Sequence, residues 1–372
     1  MKKRQKIAII GATEFQDPLI RKAQELGFET YVYAWKSDDI GEKTADHFIP
    51  ISVIEKEKIY KDCLARGIDT AVSIGSDITI LTTNYLQRKF HKPTNPVIVD
   101  TIGTNKFRMR TAFMKAEVLC PKYLKARKVP EESELSGFSY PLIVKPVDRS
   151  GSRGIFKVRN YKQLSAAFLS SASEAFSKYS IIEEFIEGKE YSAESISYKG
   201  KHKLLALTKK HTTGSPHFIE TGHDEPSGID EKLILSIEKE IYKALDALHF
   251  KNGASHTEFK IDENGKFHVI EIGPRMGGDC IGSDLVYLST GYDFMKMVID
   301  IADGKTPDFV IHNHYKEAHI RFIFSEKDLL KLGEIKKNPR YTMIRTNIKN
   351  NTDLTVTNST DRHGYYLYVK NQ

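Results

Sequence analysis

Two glutamates stand inside otherwise apolar stretches of the sequence, Glu258 in SHTEF and Glu271 in VIEIGPRMGG. The segments SHTEFKID and KFHVIEIG are joined by Glu263–Gly265 (ENG), a strong hairpin signal. The two acids are therefore expected side by side on one face of adjacent strands. Carboxylates so placed repel unless a cation lies between them, and oxygen ligands select Mg2+ or Mn2+. Two solvated strand acids would be the plainer explanation, but flanking Val269, Ile270 and Ile272 argue for a buried face.

A second constellation lies in YPLIVKPVDRSGSRGIFKV, residues Tyr140–Val158. Lys145 ends an apolar strand and precedes Ser150, Gly151, Ser152, Arg153 and Gly154, after which a strand resumes. Small residues let backbone N–H groups approach phosphate oxygens, and such concave loops attract anions. A lysine in a buried strand without an anion is costly, which favours a ligand there. A plain hairpin with a solvated tip explains the segment equally well. Next, IIEEFIEGKEYSAES (Ile181–Ser195) runs from an apolar strand into a bend. Its backbone could pair with the edge of adenine and Glu190 with both ribose hydroxyls, although a charged surface loop would look the same.

Other chemistries find little support. The opening turn at Ile9–Leu19 carries one glycine and no G-x-G-x-x-G; there is no P-loop, no G-x-S-x-G, and no H-E-x-x-H among the 13 histidines.

These segments need a scaffold. Up to about residue 103, strands (KIAIIG, ETYVYA, TAVSI) alternate with helices (Asp17–Leu26, Lys56–Arg66, Ile78–Phe90), which predicts a doubly wound parallel sheet. A new unit starts near Thr104 with a helix over Lys106–Ala116 and a polar connector over Val129–Ser139. From Tyr140 longer strands with alternating polarity predict antiparallel pairing. Glu231–Leu248 is an amphipathic helix with Leu233, Ile237, Ile241, Ala244 and Leu248 on one face, and Phe294–Ala302 is another. The residues from Asp308 read as a small β-rich piece. The fold class is thus α/β and α+β, with units at 1–103, 104–307 and 308–372.

At 372 residues, 40% hydrophobic and 28% charged, the chain has ample material for a core, and it exceeds one ordinary domain of ~100–200 residues. The basic, then apolar, N-terminus breaks at Glu14, too early for a secretory signal, and no run approaches the ~20 apolar residues of a membrane span. Three cysteines without metal-ligand spacing point to the cytoplasm. The net charge of +7 comes from 56 basic residues interleaved with 49 acidic ones, which suits small anionic ligands better than nucleic acid.

Taken together, the motifs resemble the ATP-grasp superfamily over nearly the whole chain, which implies a two-lobed ATP-grasp domain at 104–307 between an N-terminal α/β domain and a C-terminal β subdomain. The resemblance makes ATP and Mg2+ (or Mn2+) the expected cofactors. It casts Lys106 and Lys145 as nucleotide lysines, and Ser150–Gly154 as the loop over the phosphates. Glu183, Glu184 and Ile186 fall on the adenine hinge, Glu190 on the ribose acid, and Glu258 and Glu271 on the metal acids. GATEFQDPLI, TTGSPHFIETGHDEPS and EIGPRMGGDCIGSDLV narrow the likeness to L-amino-acid ligases of the bacilysin type and carbamoyl-phosphate-synthase-like relatives. In such ligases Glu220 and His223 would border the amino-acid site, Arg275 would meet the acyl phosphate or substrate carboxylate, and Gly277 would allow close approach. Two positions depart from the pattern: Gly273 replaces the usual asparagine, and Asp279 stands where a large aromatic is found.

The implied reaction joins a carboxylate to an amine through an acyl phosphate, releasing ADP and phosphate; the resemblance casts Arg275, Lys145 and His223 as its catalytic residues and an amino acid as at least one substrate. The expected partners are small-molecule acids and amines, with no nucleic acid and no membrane, and a homodimer is the assembly to test. A nucleotide-biosynthesis or carboxylating ligase, and a non-catalytic ATP-binding regulator, are the alternatives.

Overall fold

The computed structural model describes residues 4–149, 151, 153–312, 316–349 and 355–371. Among them the strands form three sheets. The first is parallel, in the order β3-β2-β1-β4, from β1 (Lys6–Ile10), β2 (Glu29–Tyr33), β3 (His47–Ile49) and β4 (Ala71–Val72). It alternates with α1 (Asp17–Glu25), α2 (Ile40–Thr44), α3 (Lys56–Arg66) and α4 (Asp77–Lys89), as parallel strands need crossovers. The short α2 and β3 were not expected: five and three residues are too few to show a period.

After α5 (Val97–Ile102) and α6 (Lys106–Lys115), a small antiparallel sheet, β5-β8-β6-β7, is built from β5 (Tyr123–Ala126), β6 (Leu142–Pro146), β7 (Phe156–Val158) and β8 (Ser180–Glu184). Its apolar face is covered by α7 (Tyr161–Glu174), an element absent from the sequence reading. Leu164, Ala167, Phe168 and Ser171 keep a helical period, but serines and alanines blur it.

The third sheet has eight strands in the order β13-β12-β9-β10-β11-β14-β16-β15. They are β9 (Lys189–Tyr198), β10 (Lys201–Thr212), β11 (Glu220–Glu225), β12 (Gly253–Ile261), β13 (Phe267–Gly273), β14 (Ala318–Phe322), β15 (Tyr341–Ile348) and β16 (Gly364–Lys370). All its pairings are antiparallel. On one face lies α8 (Glu231–Ala247), burying Ile237, Ile241, Ala244 and Leu245 with Met109 and Phe113 of α6. After a π-turn, Ile281–Leu285, follow α9 (Val286–Thr290) and α10 (Phe294–Ala302). Ile196, Leu205 and Ala254 share a core with α10 and the parallel sheet, so the N-terminal unit is seated against the large sheet.

The C-terminal strands expected from Asp308 onward continue the large sheet, because β14 pairs with β11. A helix, α11 (Glu326–Lys337), packs beside them.

Glu225, at the end of β11, is buried and accepts a hydrogen bond from Thr208 Oγ1 at 2.6 Å. Burial outweighs that bond and pushes its carboxyl up to about 8. Folding therefore takes up a proton between the ordinary carboxyl range and pH 8, so stability falls as pH rises through that window, by roughly 1.4 kcal/mol per pH unit at most. Urea unfolding of Glu225→Gln across pH 5–8 is expected to show a flatter dependence than the wild-type chain and greater stability than it near pH 8.

Candidate active site

Lys106 opens α6, where Asn105 caps the helix by accepting from Arg108 N–H. Its Nζ reaches Glu271 Oε1 at 2.9 Å and the Arg149 carbonyl at 2.7 Å. Lys145 sits on β6, all of whose residues are buried. Its ammonium is 2.7 Å from Glu183 Oε2 on neighbouring β8, and Arg110 Nε of α6 is 2.7 Å from the other oxygen, out of hydrogen-bond alignment. Burial alone would raise the Glu183 pKa, but Arg110 and Lys145 hold it below the ordinary range. Burial lowers that of Lys145, against the pull of Glu183.

The protein itself supplies an anion that balances Lys145, in Glu183. The Glu183 side chain is committed to that ion pair, and an adenine contact expected of this segment would fall to its backbone, as the sequence suggested. Beyond it, Glu184 Oε1 accepts from Ser139 N–H at 2.9 Å, and the Ile186 carbonyl accepts from Lys260 Nζ at 3.2 Å.

The predicted acid pair forms: Glu258 on β12 is the register partner of Glu271 on β13. Protein cations already relieve their repulsion. Lys106 neutralises Glu271, while Lys210, buried on β10, places Nζ 2.5 Å from Glu258 Oε1, 3.4 Å from Glu190 and 3.6 Å from Glu220. Burial would lower the Lys210 pKa, but Glu258, Glu190 and Glu220 hold it well above the usual lysine value. His256 Nε2 lies 3.5 Å from the same Glu258 oxygen, and its other ring nitrogen bonds Glu194. Against the effect of burial, Glu194 raises the His256 pKa to about 9. Two carboxylates do not complete the shell of a divalent cation, and among the described residues no group of three or more His, Cys, Asp or Glu is gathered for one. The pair does fit Mg2+ that arrives with a nucleotide, because that ion keeps waters and phosphate oxygens and takes one or two carboxylates.

On the turn after β13, Arg275 Nε donates to Asp77 Oδ1 at 2.5 Å, at the start of α4. That contact brings the N-terminal unit to the cleft wall. Gly273 precedes it, close enough that an added Cβ would touch the arginine at 3.4 Å. Gly277 is tighter still: a Cβ there would lie 2.5 Å from Glu194 Oε1 and 2.8 Å from His256 Nδ1. The close approach it permits within the protein is to these side chains. Asp279 receives both terminal nitrogens of Arg362, at 2.8 and 2.6 Å, and lies 3.7 Å from His223 Nε2. His223 is 1% exposed, and burial lowers its pKa. Ser359 donates to Glu220 at 3.1 Å.

Two adjoining cavities result. One is lined by Lys106, Lys145, Glu271 and Gly273, the other by Lys210, His223 and Asp279; Asp77, Gly151, Arg153, Glu220, His256, Glu258 and Arg275 border both. Glu190 touches this ensemble through Lys210. Glu183 and Gly277 stand behind its walls, and Gly154 packs against Pro146 and Glu174. Ser150 and Ser152 lie outside the described residues. Sequence reasoning missed Lys210, His256, Glu194, Arg110, Asp77, Ser359 and Arg362. Only His256 carried a signal, being two residues before Glu258 and so on the same strand face.

Residues 138–284 match the model of the ATP-grasp domain. The chain carries an ATP-grasp domain. It is 29% identical over 229 residues to alanine–anticapsin ligase of Bacillus amyloliquefaciens, covering 55% of this chain and 48% of that one. It is 28% identical over 178 residues to the carbamoyl phosphate synthase large chain of Thermotoga maritima, covering 46% and 16%. The chain spans about half the length of the first of these relatives. The L-amino acid ligase structure from Bacillus licheniformis superposes with a TM-score of 0.83 at 22% identity, over 100% of this chain and 95% of that one, so the ATP-grasp ligase fold extends beyond the matched segment.

The buried Lys145–Glu183–Arg110 group of this ATP-grasp domain makes a direct prediction. Glu183→Gln leaves two buried cations facing one another, and removing one partner of such a group destabilises by about 3–5 kcal/mol. Chemical denaturation of the purified variant at neutral pH checks it.

Proposed function

We propose that the chain is an ATP-dependent carboxylate–amine ligase that forms an amide through an acyl phosphate, with ADP and phosphate as products and an amino acid as at least one substrate. The observation that carries this reading is the convergence of Lys106, Lys145, Arg275 and the Glu258–Glu271 pair on one cleft. The likeness to alanine–anticapsin ligase supports it.

In this reading ATP lies with its base at the hinge after β8, its ribose near Glu190 and its phosphates over Lys106 and Lys145. Mg2+ held by Glu258 and Glu271 with the nucleotide would supply charge neutralisation for the transferring phosphoryl group. A substrate carboxylate oxygen attacks the γ-phosphorus, the bond to the β-phosphate oxygen breaks, and ADP carries away the electron pair. Arg275, with its guanidinium already fixed by Asp77, stabilises the acyl phosphate that forms. The amine then attacks the acyl carbon, and phosphate leaves from the tetrahedral intermediate. His223, kept neutral by burial, can take the proton that the amine must lose. Gly151 and Arg153 border the cleft where a closing loop would exclude water, which an acyl phosphate requires. Glu220, His223 and Asp279 line the substrate end. The three free cysteines suit a reducing, cytoplasmic setting.

With hydroxylamine in place of the amine, a hydroxamate should form that depends on both ATP and the carboxylate substrate, in step with ADP. AMP and pyrophosphate in nucleotide chromatography would overturn the reading. Glu271→Gln should stay folded and lose turnover by orders of magnitude at saturating Mg2+, which a coupled ADP assay measures.

A further inference from the structure

Glu194, in the middle of β9, is completely buried, yet both its oxygens are used. Oε1 bonds His256 Nδ1, and Oε2 accepts the Gly277 N–H at 2.9 Å. A buried carboxylate needs such partners, and these belong to two different parts of the cleft. His256 precedes Glu258 by two positions on β12, so both side chains leave the same face. With Nδ1 held by Glu194, the ring is oriented so that Nε2 is the atom 3.5 Å from Glu258 Oε1. On the other side, the Gly277 backbone approaches so closely that no side chain fits, and Gly277 follows Arg275 on the same turn. One carboxylate thus ties the strand of the first metal acid to the turn that carries the arginine.

We infer that Glu194 and His256 are positioning residues that hold Glu258 and the Arg275–Gly277 turn in register for a metal–nucleotide complex. The inference rests on the cleft being the ATP site. Lys210 and His256 both meet Oε1 of Glu258, so Oε2 is the oxygen left for the metal. Glu194 and His256 do not touch substrate; they fix the direction in which that oxygen is offered. Residues that orient a metal ligand in this way typically change metal affinity about 10–100-fold when replaced.

The test uses the full chain with Glu194→Gln, which keeps shape and the Gly277 bond but removes the charge, and with His256→Asn. ADP is titrated calorimetrically without metal and with Mg2+, and Mn2+ binding in the presence of ADP is followed by electron paramagnetic resonance. Both variants should bind metal-free ADP within about twofold of wild type while Mn2+ affinity falls about tenfold or more. Folded variants with wild-type Mn2+ affinity overturn the inference and leave the proposed function standing. So does failure of both variants to fold, which would assign the pair to the core. Wild-type ADP binding that is indifferent to Mg2+ would instead bring down the nucleotide reading of the cleft, and this inference with it.

Discussion

Glu258 and Glu271 face one another across β12 and β13, and the surrounding structure keeps that pair from being driven apart. Each acid receives a cation from a different direction: Lys106 comes from the first turn of α6, Lys210 from β10 two strands away. The cations are themselves buried, so they depend on the acids as much as the acids depend on them. An empty cleft is thereby electrostatically satisfied. Any charged ligand entering it must rearrange contacts that already exist.

How much of this could be read from the sequence follows from the range of each interaction. The acid pair was legible because a hairpin turn and period-two alternation are local, and they put Glu258 opposite Glu271. The bounds of α3 and α10 emerged because their apolar spacing is regular. Lys145 was singled out correctly as a buried lysine, but its partner was not, since Glu183 meets it only through the pairing of β6 with β8. Lys210 follows Lys209 in the sequence, and nothing local says which of the two turns inward. Arg362 and Asp279 are far apart along the chain, and their contact exists only because β16 joins a sheet whose other end carries the acids.

That same sheet explains why the C-terminal piece looked separable. Its strands alternate and its turns are polar, as in a small independent β unit, and the sequence contains no mark of the pairing between β14 and β11. Cys280 and Ile281, just past the arginine turn, share a hydrophobic cluster with Ile320 and Leu367. The end of the cleft lined by Glu220 and Asp279 is therefore built partly on the C-terminal strands, and Ser359 and Arg362 are structural neighbours of these two acids.

The Arg110–Glu183 contact joins two bodies that are otherwise packed separately. Arg110 belongs to α6, whose Met109 and Phe113 lie in the core of the large sheet, whereas Glu183 and Lys145 belong to the small sheet with its own core under α7. Swinging the small sheet outward would take from Glu183 one of its two cations and leave Lys145 as its sole counter-charge. The carboxylate would then draw the lysine more strongly, and the lysine would offer less of its field to a phosphate. The contact thus spans two separately packed bodies, and one buried carboxylate carries the charge balance of both.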